Sequence, residues 1–208
     1  VATLNLKQTQ DAKTNLETFA LDLDVDLLFD KGKVERITIP VSERDTTFAF
    51  PCKKAPKAVV IDPDFSLLCT IEWGSKDAKA WLHQLAHAPG FAARHRAIKA
   101  LTKHLHKPSV ERALLALTSD PTAFFALRGA AAKALAALGD AGRDDLLVAL
   151  ASLDKRALRM VLPALGRRAN EDTLNYLREL VANHDSEYVV AAALRGLAAS
   201  RNDAVRSD

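Results

Sequence analysis

Hydrophobic residues in the first third of the chain follow the two-residue period of β-strands. Over residues 19–29 every odd position is apolar, and three aspartates between them predict a half-buried strand with one acidic, solvated face. Residues 31–33 contain a glycine turn, and the alternation resumes over residues 34–41, which predicts an antiparallel hairpin. Shorter strands are predicted at residues 3–10, 46–50 and 58–61. Together these segments indicate a small antiparallel β-sandwich.

The pattern changes after Ser75, where alanine and leucine dominate and apolar residues recur with the helical period. Ser75 is predicted to cap a first helix over residues 76–88. Pro89 and Gly90 end that helix, and a second helix is predicted at residues 91–105. The two helices are expected to form a hairpin.

Four similar pentapeptides mark internal repeats in the helical part. They are AIKAL at 97–101, AAKAL at 131–135, VLPAL at 161–165 and ALRGL at 193–197, with offsets of 34, 30 and 32 residues. A period of this length with two helices per unit is typical of α-solenoids. We therefore predict an α+β multidomain protein. A small antiparallel β-sandwich at residues 1–72 is followed at residues 75–208 by an α-solenoid of about four HEAT-like helix pairs.

The charge of the chain divides near the same boundary. Residues 1–75 have a net charge of −3 and residues 76–208 a net charge of +6, within a total of +3. The chain starts at Val1 inside a predicted strand. We therefore expect the sandwich to be incomplete at its N-terminus and the chain to be part of a larger protein.

The sequence also bounds the compartment and the redox chemistry. No segment has the roughly 20 apolar residues of a membrane span, and we favour a soluble, cytoplasmic protein. Cys52 and Cys69 are expected to be unpaired thiols in an apolar layer, with a disulfide as the alternative.

Two motifs and the order of the domains carry a resemblance to a known family. LNLKQTQ at residues 4–10 and PKAVVIDPDFSLL at residues 56–68 precede the helical repeats. This arrangement resembles the region after the catalytic domain of gluzincin metalloaminopeptidases of the aminopeptidase N type. The resemblance implies a β-sandwich after a thermolysin-like zinc domain, and a helical domain that closes over the active site. Within the second motif, Pro63 is expected to end the last strand and Asp62 to accept hydrogen bonds from turn amides.

The resemblance also implies where the chemistry lies. Neither a G-x-M-E-N segment nor an H-E-x-x-H motif occurs in residues 1–208, so both are expected upstream, together with the zinc. This chain is then expected to hold no cofactor itself. Its expected partners are the catalytic domain of the same polypeptide and the peptide substrate.

The sequence HQLAH at residues 83–87 differs by one residue from the zinc-peptidase motif. His106 follows at the spacing at which gluzincins place a third ligand, so His83, His87 and His106 form a candidate zinc site. Gln84, however, replaces the glutamate that accepts a proton from zinc-bound water. In a helical hairpin His106 would also lie roughly 20 Å from His87. We therefore assign no catalytic and no metal-binding residue, and expect His83 and His87 to face solvent or a neighbouring domain; a site for adventitious metal is the alternative.

Basic residues recur at matching positions of the repeats. Lys99, Lys133 and Arg195 share one pentad position, and Arg94 and Arg128 correspond to each other. Stacked repeats would align these side chains into a surface for a carboxylate or a phosphate, with a merely solvated face as the alternative. Nucleic acid is disfavoured as a partner because few aromatic residues, on which nucleobases could stack, accompany these basic side chains.

These observations lead to one predicted function and one alternative. The chain is predicted to be a non-catalytic C-terminal segment that packs on and encloses the catalytic domain of a zinc aminopeptidase-like protein. The alternative is a stand-alone HEAT-repeat scaffold that binds other proteins. An autonomous zinc hydrolase is disfavoured by Gln84.

Overall fold

The computed structural model describes residues 1–11, 13, 16–137, 143–168 and 170–200, which form an α+β protein. Within these residues there are five strands: β1 (Ala2–Lys7), β2 (Leu21–Leu28), β3 (Val34–Val41), β4 (Asp45–Phe50) and β5 (Ala58–Ile61). The same residues contain eight α-helices: α1 (Ala78–His87), α2 (Phe91–Leu101), α3 (Pro108–Ser119), α4 (Phe125–Leu135), α5 (Arg143–Leu150), α6 (Lys155–Leu165), α7 (Glu171–Asn183) and α8 (Glu187–Ala198). The predicted α+β class is confirmed.

The chain separates into two compact units, Val1–Ala97 and Ile98–Asp208. The first unit contains β1 to β5, α1 and most of α2, and the second contains the remaining helices. The domain ranges 1–72 and 75–208 stay a prediction that rests on the change of hydrophobic period. Their last eight residues, 201–208, lie outside the described residues.

The strands of the first unit form two antiparallel sheets. One pairs β1 with β4, and the other has the order β3-β2-β5 with β2 in the middle. The predicted hairpin is confirmed, because β2 and β3 pair along their whole length from Leu21 opposite Val41 to Leu28 opposite Val34. Its turn holds Lys31 and Gly32 at φ 58° and 74°, a left-handed conformation that favours glycine at the second position.

The three-stranded sheet is covered on both faces. On one face, buried side chains of β2, β3 and β5 pack against apolar residues of β1 and β4; the buried set is Leu23, Val25, Leu27, Ile39, Val41 and Ile61. On the other face, Leu28 and Val60 pack with Ala88 and Ala93 from the helical segment. Burial of both faces explains why β2 ends in a continuous apolar pair, Leu27–Leu28.

The acidic face predicted for β2 is only partly solvated. Asp22 is exposed and Asp24 is half-buried, but Asp26 is 1% exposed. The expectation is wrong for Asp26 because β2 is the central strand and Arg36 of the neighbouring strand β3 covers the carboxylate with two hydrogen bonds. A buried carboxylate is tolerated when it is paired in this way.

Helices of the second unit approach one another closely through glycine. α4 packs along α6, and α6 packs along α8. A Cβ added to Gly166 would lie 1.6 Å from the carbonyl oxygen of Gly196, and one added to Gly129 would lie 3.0 Å from the sulfur of Met160. No larger side chain fits at the Gly166–Gly196 contact, so glycine sets the distance between these segments.

Two helix starts show how local sequence sets the boundaries. The residue that caps α1 is Asp77, whose side chain accepts a hydrogen bond from the backbone N–H of Ala80 at 2.8 Å; the prediction of Ser75 is wrong. Asn170 caps α7 in the same way, and Glu171 and Asp172 occupy its first turn, where their negative charges favour the helix dipole. Among the described helices, none combines the length and the apolar character needed to cross a membrane.

Candidate functional site

The histidines of HQLAH lie on α1 and contact the β2–β3 turn. His83 Nε2 is 2.9 Å from the backbone oxygen of Phe29, and the ring centroids of His83 and His87 are 4.4 Å apart. A Cβ added to Gly32 would lie 3.3 Å from His87 Nδ1. The side chains of His83 and His87 were expected to face solvent or a neighbouring domain. In the structure both are half-buried and lie against the β2–β3 hairpin. Their contacts fasten α1 to the turn.

Metal-ligating residues are not assembled in this part of the molecule. Across the described ranges, no three His, Cys, Asp or Glu side chains are grouped so that they could hold a metal ion. Cys52 is half-buried and Cys69 exposed, and both are free thiols, so Cys69 does not lie in the apolar layer expected for it. Although the residue as a whole is exposed, partial burial of its sulfur and the negative charge of Asp62 raise the pKa of Cys69.

Gln84, at the position of the missing catalytic glutamate, is a fully buried structural residue. Its side-chain N–H donates to the backbone oxygen of Ala93 at 2.6 Å, and its Oε1 accepts a hydrogen bond from Lys76 Nζ. The first bond ties α1 to α2, and the second ties α1 to the segment that precedes it. A buried amide with both of its groups paired is stabilising, whereas either group left unpaired would cost about 1–3 kcal/mol.

Lys76 lies in a cage of two tryptophans and two oxygens. Its Nζ donates to the backbone oxygen of Val59 at 2.6 Å and to Gln84 Oε1. The same atom lies 4.4 Å from the ring centroid of Trp73 and 4.0 Å from that of Trp81. The two indoles meet edge to face with centroids 5.5 Å apart. The cage joins β5, the segment after it and α1 around one ammonium group.

The environment of Lys76 changes its acid–base behaviour. Burial, together with the positive charge of the nearby Arg96, lowers the pKa of Lys76 to about 7. An amine with this pKa is partly neutral at physiological pH and could in principle act as a base or a nucleophile. Here, however, its hydrogens are donated to Val59 and Gln84 and its surroundings are indole rings. The geometry supports an internal tie and not an open reactive group.

The IDPDFS turn after β5 is held by its own aspartate. Asp62, 2% exposed and at a φ of 45°, accepts hydrogen bonds from the backbone and hydroxyl of Ser66 at 2.8 Å and from the backbone of Leu67 at 3.3 Å. The predicted role of Asp62 in satisfying turn amides is confirmed. Arg96 of α2 donates to the carbonyl of Ile61 at 2.5 Å, and its guanidinium lies 4.4 Å from the ring centroid of Phe65.

A second arginine closes the same end of the sheet. Arg36 forms two bonds to the buried carboxylate of Asp26, at 2.7 and 3.0 Å, and a third to Asp64 at 2.5 Å. These hydrogen bonds raise the pKa of Arg36 above its ordinary value. The arginine therefore stays charged and bridges β2, β3 and the turn after β5.

The QTQ motif is also explained by structure. The amide of Gln8 pairs with both backbone groups of Phe19, donating to its oxygen and accepting from its N–H at 2.9 Å each. Gln10 donates to the backbone oxygen of Glu17 at 3.0 Å. Both glutamines thus act as substitutes for a strand partner and hold the segment that leads into β2.

The five basic residues of the predicted binding surface have different environments. Lys99, Lys133 and Arg195 are exposed, whereas Arg94 is half-buried and donates to the carbonyl of Leu85 at 2.9 Å. Arg128 is 5% exposed. Its guanidinium donates to the carbonyl of Thr118 at 3.0 Å and to that of Ser152 at 2.6 Å. Arg128 therefore joins α3, α4 and the end of α5 and does not contribute to an exposed surface; a binding role for the others stays a prediction.

With these contacts established, the molecule can be compared with known proteins. No protein-family model matches the sequence, and no curated protein matches it. Among solved structures, aminopeptidase A of Legionella pneumophila, crystallised in complex with aspartic acid, matches with a TM-score of 0.62 over 92% of this chain. The two share a fold. Sequence identity is 13%, and the chain spans 29% of the length of that structure.

The Lys76 cage was not predicted from the sequence, although the spacing of its residues gives a signal. Trp73, Lys76, Trp81 and Gln84 are spaced so that the last two fall on one face of α1, three residues apart. A lysine between two tryptophans is a recognisable cation–π pattern. The fourth participant, the carbonyl of Val59, is contributed by β5 and has no side-chain signal at all.

Proposed function

We propose that this chain is a non-catalytic segment of a zinc aminopeptidase-like protein and packs on the catalytic domain of the same polypeptide. The observation that carries the proposal is the fold shared with part of the Legionella pneumophila aminopeptidase over 92% of the chain. More than two thirds of that neighbour lies outside the matched part, because the match covers 29% of its length. A peptidase organised in the same way has ample length for a separate catalytic domain.

The role of such a segment is steric. It encloses the active site and contacts the peptide substrate, and bond cleavage is left to zinc and a catalytic glutamate in the parent's catalytic domain. The structure of HQLAH supports this division. Gln84 is an amide paired with Lys76 and Ala93, so it is neither a base nor free to approach a substrate.

The proposal is tested first by an activity assay. The purified chain, supplied with zinc, should not hydrolyse aminoacyl p-nitroanilides above background. Hydrolysis that a chelator abolishes, and that the His83→Ala variant lacks, would contradict the proposal. The native coding sequence provides a second test: an H-E-x-x-H motif upstream of Val1 supports the proposal, and a start codon directly before Val1 counts against it.

For the helical part we propose a HEAT-like solenoid. The proposal is supported by the pairs α3–α4 and α7–α8 and by the row that α4, α6 and α8 form. In a solenoid, each pair contacts only its neighbours, so stability is local. Hydrogen exchange should then show the last helix pair opening at lower free energy than the middle pairs. One uniform opening energy for all helices would contradict it.

A protein-binding scaffold is a second candidate function. The observation that favours it is the distribution of charge between the two sets of helices in the second unit. That distribution can be described residue by residue, and it does not depend on a peptidase parent.

A further inference from the structure

Charge is segregated between the two sets of helices in the second unit. Helices α4, α6 and α8 carry six basic residues and one acidic residue: Arg128, Lys133, Lys155, Arg156, Arg159 and Arg195 against Glu187. Helices α3, α5 and α7 carry three basic residues and six acidic ones: Arg112, Arg143 and Arg178 against Glu111, Asp144, Asp145, Glu171, Asp172 and Glu179. Since α4, α6 and α8 pack side by side, the basic residues collect in one layer.

The exposed parts of this basic layer are in contact with one another. The guanidinium of Arg156 lies 4.3 Å from the ring centroid of Phe125, which joins α6 to α4. The guanidinium of Arg159 lies 5.9 Å from the ring centroid of Tyr188, which joins α6 to α8. These contacts place side chains of three helices on one side of the layer; Arg156, Arg159 and Tyr188 are exposed and Phe125 is half-buried. We call the residues Phe125, Arg156, Arg159, Tyr188 and Arg195 the α4–α6–α8 face.

The arginines of this face are available to a partner. Arg156, Arg159 and Arg195 are exposed. Arg156 lies 3.6 Å from the cap residue Asp154, and none of the ion pairs among the described residues includes Arg159 or Arg195. Among the described residues, the positive charges of Arg159 and Arg195 are therefore not neutralised by a carboxylate, whereas that of Arg156 has Asp154 beside it.

Apolar groups accompany the arginines. Tyr188 is 62% exposed and Leu194, next to Arg195, is 50% exposed. Exposed tyrosine and arginine together are typical of the residues that contribute most to protein–protein binding. A nucleic acid pairs its phosphates with basic residues and stacks successive bases on several aromatic rings, whereas Tyr188 is the one exposed aromatic residue among those named for this face. The face therefore suits carboxylates that are interleaved with apolar side chains.

We propose that the α4–α6–α8 face binds an acidic protein segment that also presents apolar side chains. Arg156, Arg159 and Arg195 pair with its carboxylates, and Tyr188 contacts its apolar groups. The proposal goes beyond the peptidase-related role and holds whether or not this chain belongs to a peptidase. This face shares Arg195 with the surface predicted from the sequence, but not Arg128, which is buried.

The test is a binding titration of the full chain with three fluorescein-labelled ligands. They are a dodecapeptide of alternating glutamate and leucine, the corresponding peptide of lysine and leucine, and a single-stranded oligonucleotide of equal charge to the first. Fluorescence anisotropy at several salt concentrations reports the dissociation constants. The acidic peptide should bind, with an affinity that falls as salt rises, and the basic peptide should not.

Charge reversal distinguishes this face from the general charge of the protein. The double variant Arg156→Glu, Arg159→Glu should weaken acidic-peptide binding about tenfold or more. Arg112→Glu, an exposed arginine on α3 in the other set of helices, is the control and should change binding less than about twofold. Tyr188→Ala should weaken binding without changing its salt dependence. Circular dichroism verifies that each variant is folded.

Three results would overturn the proposal. One is absence of acidic-peptide binding by the folded wild-type chain. Another is equal weakening by Arg112→Glu and by the double variant, which would show only long-range charge. The third is tighter binding of the oligonucleotide than of the acidic peptide, which would assign the face to nucleic acid. The aminopeptidase assay is independent of all three, so failure here and failure of the proposed function are separate outcomes.

Discussion

Stability should depend on pH through Lys76. The pKa of this lysine is about 7 in the folded protein, below its ordinary value of 10.5. Between these two pH values the unfolded chain binds a proton that the folded chain lacks. Raising the pH therefore stabilises the fold throughout this window, whereas below pH 7 both states are protonated and the cost of the buried charge is constant.

The size of the effect follows from the difference in proton binding. One proton gives a slope of about 1.4 kcal/mol per pH unit in the free energy of unfolding. Two units, from just above pH 7 to just above pH 9, thus correspond to about 2–3 kcal/mol. The indoles of Trp73 and Trp81 act in the opposite direction, since each favours the ammonium by about 0.5–2 kcal/mol. The measured slope is therefore expected to be at or below the full value.

The measurement compares the wild type with Lys76→Met by urea unfolding across this pH range. Methionine keeps the apolar contacts with the indoles and removes the titrating group. It also leaves Val59 and Gln84 without their donor, a loss that does not vary with pH. The other lysines titrate equally in both proteins, so their contributions cancel in the difference between the two free energies of unfolding.

We expect the free energy of unfolding of the wild type to rise with pH relative to that of the Lys76→Met variant. A flat difference between pH 7 and 9.5 would refute the reasoning. It would mean that the interactions of the cation with the two indoles and the two oxygens fully offset its burial. A direct NMR titration of the Lys76 side chain, giving a pKa near 10.5, would refute it independently.

Three further predictions concern packing, a buried ion pair and the incomplete motif. Gly196→Ala should lower the free energy of unfolding by about 1–3 kcal/mol, because its Cβ would lie 2.6 Å from the carbonyl of Leu162; Gly74→Ala, with open space around it, should be nearly neutral in the same urea assay. Asp26→Asn should cost about 1–3 kcal/mol, because it removes the buried charged partner of Arg36, while Arg36 itself is 40% exposed and keeps Asp64. Asp45→Asn at an exposed pair should cost less than about 1 kcal/mol, and equal costs would contradict the burial argument. Gln84→Glu completes the sequence of the H-E-x-x-H motif but should give no chelator-sensitive aminopeptidase activity. It should destabilise the fold, because it places a carboxylate in a fully buried position. Measured peptidase activity of this variant would contradict the prediction.

Much of the fold could be predicted because its elements follow from local patterns. The strand at residues 34–41 and the strand at residues 58–61 have the predicted bounds, and the hairpin follows from alternation on both sides of a glycine turn. The helix pairs follow from the 3.6-residue period and from the repeated pentapeptides. Boundaries were less secure, since Asp77 and Ser75 are both good caps and only the backbone geometry distinguishes them.

The candidate sites were harder to predict, because each depends on residues that are distant in sequence. Asp26 and Asp22 occupy equivalent positions in the alternating pattern of β2. Asp26 is nevertheless buried, because Arg36 contacts it from the neighbouring strand and β5 flanks β2 on the other side. Arg128 has the same pattern as Arg94, but it is surrounded by carbonyls from two other helical segments. No periodicity distinguishes an exposed arginine from a paired and buried one.

The sequence by itself determined which segments are strands and helices, because hydrophobic period and caps act between near neighbours. It also determined that HQLAH lacks the catalytic base, since that follows from one residue type. Only the tertiary structure decided what Gln84 does instead, and that Lys76 is enclosed by two indoles and a carbonyl from β5. It alone placed Arg156 and Arg159 beside Tyr188 and Phe125. The reason is physical: burial, pairing and pKa depend on which surfaces meet after folding, and that is settled by packing between distant parts of the chain.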